Sequence, residues 1–387
     1  MFETGYTAAL QRLHDFVPKA GRDYASKRNY DDTAHVSALS PYIRHRIITE
    51  EDVIRATLGR HSLQAAEKFI QEVYWRTYWK GWLEMRPAVW DHYKADLRAA
   101  LHRTHSEAGL RQAWEAACKG DTGIACFDHW AHQLAQTGYL HNHARMWFAS
   151  IWVFTLRLPW VLGADFFMRH LIDGDPASNT LSWRWVSGLQ TVGKTYLARP
   201  DNIAKYTEGR FRPTGLAAVA PPLEGLPHPT RTPLPVSDTI TPGKRTGLLI
   251  TEEDKSIGWL LDQFTPDATA IIQTTQARSP LMTAQGVQDF VAGGLADCAG
   301  RYQARLGHLK RISTDALSDW IATHELEQVV TSYLPVGPTR DALSGHDLRQ
   351  IIRPYDSSAW PHATHGFFRF KEKIPKLIGD LRGLATV

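Results

Sequence analysis

The stretch LIDGDPASNTLSWRW, residues 171–185, brings two carboxylates, an amide and two indoles close together. Asp173 and Asp175 flank a single glycine, and Asn179 follows. Acids and an amide beside indoles suit a planar ligand that also forms hydrogen bonds. If residues 182–185 are helical, side chains two apart point about 200° away from each other. Trp183 and Trp185 then face different surroundings: one core and one cavity, or two structural positions. In QEVYWRTYW, residues 71–79, Glu72, Trp75, Arg76 and Trp79 share helical spacing. A carboxylate, an indole and a guanidinium on one face suit a nucleobase-like ligand. In TGYLHNHARMWF, residues 137–148, Asn142, Arg145 and Met146 lie on one helical face. Arg145 is placed to pair with an aspartate of 171–185. Such a buried pair is costly unless fully hydrogen-bonded, which hints at a cofactor site. In VSALSPYI, residues 36–43, Ser37 and Ser40 precede Pro41. Hydroxyls and backbone N–H groups near a helix start suit a phosphate or an ordinary cap equally. His141 and His143 have no acid or cysteine at ligand spacing, so no metal is expected.

The elements that must position these groups differ along the chain. Residues 1–211 read as helical. Thr49 is an N-cap signal ahead of an acidic first turn. Residues 62–85 carry apolar positions at helical spacing, and 108–118, 128–137, 143–157 and 164–172 are similar. Residues 212–245 hold eight of the chain's 21 prolines and read as an extended linker. Beyond it, 247–251, 269–275, 327–335 and 349–354 are short β-rich runs, separated by helix-like segments at 281–306 and 314–325. That alternation predicts a small α/β domain with a mainly parallel sheet over 246–387. The glycines of VAGGLADCAG, 291–300, fall in a helical run and make no phosphate fingerprint.

Composition narrows the function classes. The chain has 387 residues, 43% hydrophobic and 22% charged, as in ordinary globular proteins. A net charge of +4 permits a polyanionic partner without demanding one. Fourteen tryptophans are far more than usual, and indoles stack well on flavins and bases. Three cysteines make neither a disulfide framework nor the four thiolates of an iron–sulfur cluster. The N-terminus has no signal pattern, and the apolar run 147–163 contains Arg157 and Pro159. A cytoplasmic monomer with no membrane span is expected.

Taken in order, YASKRNYDDTAHVSALSPYI, QEVYWRTYW, TGYLHNHARMWF, LIDGDPASNTLSWRW and, more loosely, NIAKYTEGRF resemble the FAD-binding helical domain of the photolyase/cryptochrome family. The resemblance covers roughly residues 22–211. It implies a mainly α fold: a helical FAD-binding domain, 1–211, then the linker and the small C-terminal α/β domain. It implies FAD as cofactor and UV-damaged DNA as partner, with the antenna chromophore unknown. Tyr24, Ser37, Leu39 and Ser40 match positions that hold the FAD phosphates. Arg76 matches a cofactor-side arginine, and Arg145 and Asp173 match the pair beside the isoalloxazine ring. Asp175 matches another flavin-contacting acid, and Asn179 the residue beside flavin N5. Asn142 matches a residue between flavin and lesion. Glu72, Trp75, Met146 and Trp185 match the pocket for a flipped-out cyclobutane pyrimidine dimer. Trp183 and Trp160 match the inner two tryptophans of the flavin-reducing chain. Relatives that repair (6-4) photoproducts carry histidines where Asn142 and Met146 stand, which disfavours that substrate.

The implied activity is that of a deoxyribodipyrimidine photo-lyase; the alternatives are a cryptochrome-like blue-light receptor and a flavoprotein that has lost catalysis. The departures are specific. Val36 replaces a threonine, and Tyr139 stands where tryptophan is common. No outermost relay tryptophan lies near residues 102–106, leaving Trp90, Tyr93 or Trp114 as substitutes. Most family members begin with an α/β domain, whereas in this sequence the helical domain is expected to start almost at residue 1. Residues 246–387 are expected to be a repositioned antenna-type domain or an unrelated appendage, with 355–375 docking as an aromatic segment that ends in a basic helix.

Overall fold

The computed structural model describes residues 2–381. Met1 and residues 382–387, the last part of the expected 246–387 domain, lie outside the described residues. The first half of the chain is helical: α1 (Tyr6–Phe16), α2 (Arg22–Lys27), α3 (Ser40–Arg44), α4 (Glu50–Leu58), α5 (Leu63–Glu84), α6 (Ala88–Ser106), α7 (Ala108–Lys119), α8 (Ala125–Thr137), α9 (Asn142–Ser150), α10 (Trp160–His170), α11 (Pro176–Val186) and α12 (Pro200–Tyr206). The second half runs β1 (Thr246–Ile250), α13 (Gly258–Leu261), β2 (Ala268–Ile271), α14 (Gln285–Tyr302), β3 (His308–Arg311), α15 (Leu317–Thr323), β4 (Gln328–Ser332), α16 (Pro338–Leu343) and β5 (Arg349–Ile351). Three short helices close it: α17 (Pro354–Ala359), α18 (Phe367–Lys371) and α19 (Ile374–Gly379).

Local sequence explains the helix limits near the site. Thr49 and Asp52 form a reciprocal capping box that starts α4. Ser62 caps the 22-residue α5 through its hydroxyl, which accepts from the Ala65 N–H. Asp175 caps α11 the same way, accepting from Ser178 N–H, and Pro176 supplies a preset φ at the first helical position. Gly138 ends α8 at φ 68°, a left-handed conformation that favours glycine. The expected single helix over 143–157 is instead α9 followed by one π-helical turn, Ile151–Thr155. That turn shifts the register of Trp152, whose indole N–H donates to the Pro159 carbonyl. The helix expected from 164 begins four residues earlier, at Trp160. Residues 212–240 contain neither helix nor strand, as their prolines require.

The five strands form one parallel sheet in the order β3-β2-β1-β4-β5. In register, Leu248 pairs with Thr269 on one side and Val330 on the other. Helices cover both faces, as buried parallel strands need. One face packs Leu248, Ile250 and Val330 against Val291 and Leu295 of α14. The other packs Leu249 and Val329 against Leu317 and Trp320 of α15.

The loops at the carboxyl ends of β1, β2 and β4 face the helical half, joined by buried polar contacts. Arg44 makes a two-pronged pair with Glu253 at 2.7 and 2.9 Å. Thr339 Oγ1 donates to the same carboxylate at 3.0 Å, closing the space where the β1 and β4 loops diverge. In sheets of this order, small ligands usually sit there. Glu84 of α5 accepts from Tyr333, Arg340 and the Val336 N–H. His45 bridges the Glu252 and Ile172 carbonyls.

After β5 the chain leaves the sheet. Tyr355, Ala359, Phe367, Phe370, Ile374 and Leu377 join the helical core instead. The aromatic segment at 355–375 therefore lies on α5, where Tyr78 donates its hydroxyl to the His365 carbonyl. Gly81 makes this approach possible: a Cβ there would stand 3.0 Å from the Trp360 Cα.

Candidate functional site

Helix α11 packs against both α5 and α9 and, with the turn between α10 and α11, brings the sequence clusters together. Arg145 Nη2 donates to Asp173 Oδ2 at 2.9 Å, and its Nε donates to the Leu140 carbonyl at 2.9 Å. The guanidinium also lies 5.5 Å from the centre of the Tyr139 ring. Burial pushes the Asp173 carboxyl up, but the Arg145 charge and hydrogen bond outweigh it and hold Asp173 below its usual range.

Asp175 is the electrostatic centre. Its side chain is wholly buried, and three cations face it: Lys80 Nζ at 2.9 Å, Arg44 Nε at 3.6 Å and Arg76 Nη2 at 3.9 Å. Burial opposes its charge, but Lys80, Arg44 and Arg76 prevail, so it stays ionised far below the ordinary carboxylate range. Lys80 was missed in the sequence, although it lies four residues beyond Arg76 and eight beyond Glu72 on the same helix. That spacing was the available signal.

Several buried polar atoms have no hydrogen-bond partner: Arg76 Nε and Nη2, Asp173 Oδ1, His141 Nε2, Ser178 Oγ and Trp183 Nε1. Orphaned buried groups are rare in folded proteins; others occur elsewhere in this chain, but these six lie on or beside α5, α9 and α11. Donors and acceptors are mixed, which fits the polar edge of a flavin and excludes a purely apolar ligand. FAD is the cofactor that this donor set fits. Asn179 is held from the other side, its amide donating to the Ala164 carbonyl at 2.8 Å.

The remaining positions fall into three groups. Ser37, Leu39 and Ser40 lead into α3, where Ala38 adopts φ 47° and the Ser37 hydroxyl accepts from the Leu39 N–H. Leu39 is fully buried. Tyr24 stands apart from them, its ring wedged between Phe16 and Phe69. Its hydroxyl proton is held by burial first and by nearby Glu72 second.

Glu72 pairs with Arg28, which the sequence did not single out. Burial raises the Glu72 carboxyl despite that partner. Trp75 is half-buried, and one indole face is covered by Phe367, whose ring centre lies 3.6 Å away at 13°. Trp79 and Tyr78 also approach this indole, at 5.3 and 5.6 Å. Asn142, at the start of α9, is exposed, and Met146 one turn later is half-buried. His141 caps that helix through its ring nitrogen, and His143 hydrogen-bonds the Asn29 carbonyl and Tyr196 hydroxyl.

The two indoles of α11 do separate. Trp183 is 2% exposed and packs edge-on to Phe167 at 5.1 Å and Trp152 at 6.2 Å. Trp185 is half-buried and stacks on Tyr196 at 5.9 Å. Trp160, on the next helix, lies 5.8 Å from Tyr93, which stacks on Trp90 at 5.1 Å. The Trp90 N–H donates to Asp341 of α16. Trp114 lies outside this series, beside Cys118 and His170. Among the described residues, no group of three or more His, Cys, Asp or Glu is placed to hold a metal, and no helix is long and apolar enough to cross a membrane.

Comparison with known proteins gives a family match over residues 69–211, to the FAD binding domain of DNA photolyase. A Synechococcus protein named deoxyribodipyrimidine photo-lyase is 34% identical over 190 residues, 47% of this chain and 38% of that one. A Streptomyces griseus protein of the same name is 34% identical over 213 residues, 51% of this chain and 45% of its own. The chain thus spans less than half the length of these relatives. Among solved structures, a class III photolyase from Agrobacterium tumefaciens aligns at 28% identity and a TM-score of 0.45, covering 53% of this chain and 43% of that one.

Proposed function

Since residues 69–211 belong to the family of the FAD binding domain of DNA photolyase, we propose that this chain repairs DNA by light-driven splitting of cyclobutane pyrimidine dimers. The observation that carries the reading is the pairing of two sites across α5, α9 and α11. Arg76, Asp173 and Trp183 each keep a buried polar atom without a hydrogen-bond partner, and on the same three helices Glu72, Trp75, Asn142, Met146 and Trp185 are half-buried or exposed. A pure light receptor has no use for the second.

When bound, reduced FAD supplies the light-excited electron that opens the cyclobutane ring and receives it back. Asp173, Asp175, Asn179, Arg76 and Arg145 hold the polar edge of the ring system. Tyr24, Ser37, Leu39 and Ser40 belong to the phosphate end. A damaged dinucleotide stacks poorly, so extruding it into the pocket is cheap. Trp185 and Trp75 flank the extruded bases, and Glu72 accepts a hydrogen bond from a thymine edge. Asn142 and Met146 separate the two occupants and exclude water. Trp183 and Trp160 supply electrons from the protein side, with Tyr93 and Trp90 continuing the route towards the surface. The sheet of the second half is read as the antenna-type domain in a new chain position. Its β1–β4 crevice is filled by Arg44, Glu253 and Thr339.

The test is illumination of DNA bearing one defined thymine dimer with the full chain, its flavin reduced. Light-dependent loss of dimers supports repair. Flavin photochemistry with no loss of dimers supports the receptor reading, and a chain that takes up no FAD overturns both.

A further inference from the structure

The last helices leave one aromatic side chain with no folding role. Phe367 and Phe370 of α18 are buried against α5. Phe368, about 100° round the helix from Phe367, is 81% exposed. It is the one exposed Phe, Trp or Tyr among the described residues. Packing explains its neighbours and leaves this ring unexplained.

Its surroundings point to a partner. Arg369, Lys373 and Lys376 are exposed, and none has an ion-pair partner among the described residues. Lys371 pairs with Glu67 at 2.9 Å, and Glu372 is the one acid between 362 and 376. The cluster is therefore basic, with an exposed π face at its centre. Its buried neighbour Phe367 lies flat on Trp75, so the cluster sits at the rim of the proposed lesion pocket. An aromatic platform flanked by unpaired cations is the chemistry that grips a locally unpaired nucleic acid strand.

We propose that α18 and the turn after it form a strand-gripping element, in which Phe368 stacks on a base beside the gap left by the extruded dimer. Arg369, Lys373 and Lys376 hold the flanking phosphates. The inference rests on the repair reading. It gives the segment that returns from the sheet a role in damage recognition, separate from the light chemistry.

The test is equilibrium binding of FAD-loaded full chain to a fluorescent duplex, with and without one thymine dimer, across a salt series. Phe368→Ala is expected to weaken dimer binding about tenfold, with flavin content unchanged. The double variant Arg369→Glu/Lys373→Glu is expected to lower the slope of log affinity against log salt by about two. Phe368 and both cations are exposed, so folding is not at stake; circular dichroism checks it. If the parent binds dimer DNA and both variants match it, the element has no such role while the repair reading stands. If the parent itself shows no preference for damaged DNA, the repair reading falls and this inference with it.

Discussion

Replacing Asp175 with asparagine isolates the charge that organises the flavin seat. Asparagine keeps an oxygen to accept from the Ser178 N–H, and it is as good an N-cap as aspartate. The start of α11 therefore survives, and only the charge is lost. Arg44 keeps its two-pronged pair with Glu253 and its bond to the Gly174 carbonyl. Lys80 has no other acid within ion-pair distance and is 7% exposed. The cost thus falls chiefly on the Lys80 ammonium, with Arg76 losing a longer contact at 3.9 Å, and breaking a buried pair in this way costs about 3–5 kcal/mol. Asp175→Ala should cost about 1 kcal/mol more, because the cap goes as well. Lys80→Met in the Asp175→Asn background should recover part of the loss, since the more deeply buried orphaned cation is removed while Arg76 remains. The assay is urea unfolding of flavin-free protein followed by tryptophan fluorescence, so that ligand binding does not contribute. Asp175→Asn within about 1 kcal/mol of the parent, or no recovery on adding Lys80→Met, would refute the reasoning.

Trp185→Ala should lower affinity for dimer DNA about tenfold while flavin content stays at the parent level; loss of the flavin would show that Trp185 belongs to the cofactor seat. Gly163→Ala should destabilise the core by about 1–3 kcal/mol, because its Cβ would collide with the Trp183 ring and stand 2.9 Å from Trp152; a parent-like urea midpoint would show that these indoles yield freely. Burial raises the Glu253 carboxyl, but Arg44 and Lys80 prevail and lower it from 4.5 to about 2. The unfolded chain then binds the extra proton between those values, so this stability is complete above about pH 4.5 and is lost as pH falls towards 2. An acid titration of unfolding stability should show that loss in the parent and a smaller one in Glu253→Gln.

The site was legible in the sequence wherever its residues act through local spacing. Thr49 announced α4, the apolar spacing of 62–85 announced α5, and the Asn142–Arg145–Met146 face holds on α9. Arg145 does find an aspartate of 171–185, and the offset of Trp183 from Trp185 does separate a core indole from an accessible one. What escaped depends on distant chain. Glu253 meets Arg44 across 209 residues, and Phe367 reaches Trp75 from the far end of the sequence. No spacing encodes either contact. Strand β3, HLKR, was missed because an exposed edge strand needs no apolar alternation. Helix α6 was passed over because its apolar positions lie among many charged and histidine residues. The π turn at Ile151–Thr155, where Trp152 packs edge-on to Trp183, is not something helical periodicity reveals.

The central claim is that the excited flavin of this chain acts on a dimer held in the adjoining pocket. A single saturating flash given to a preformed complex of reduced-flavin protein and a one-dimer oligonucleotide tests it most directly. The account predicts loss of dimers, at most one per flavin, only when flash, reduced flavin and bound lesion are all present. A flash that changes the flavin while every dimer in the bound complex stays intact would contradict it.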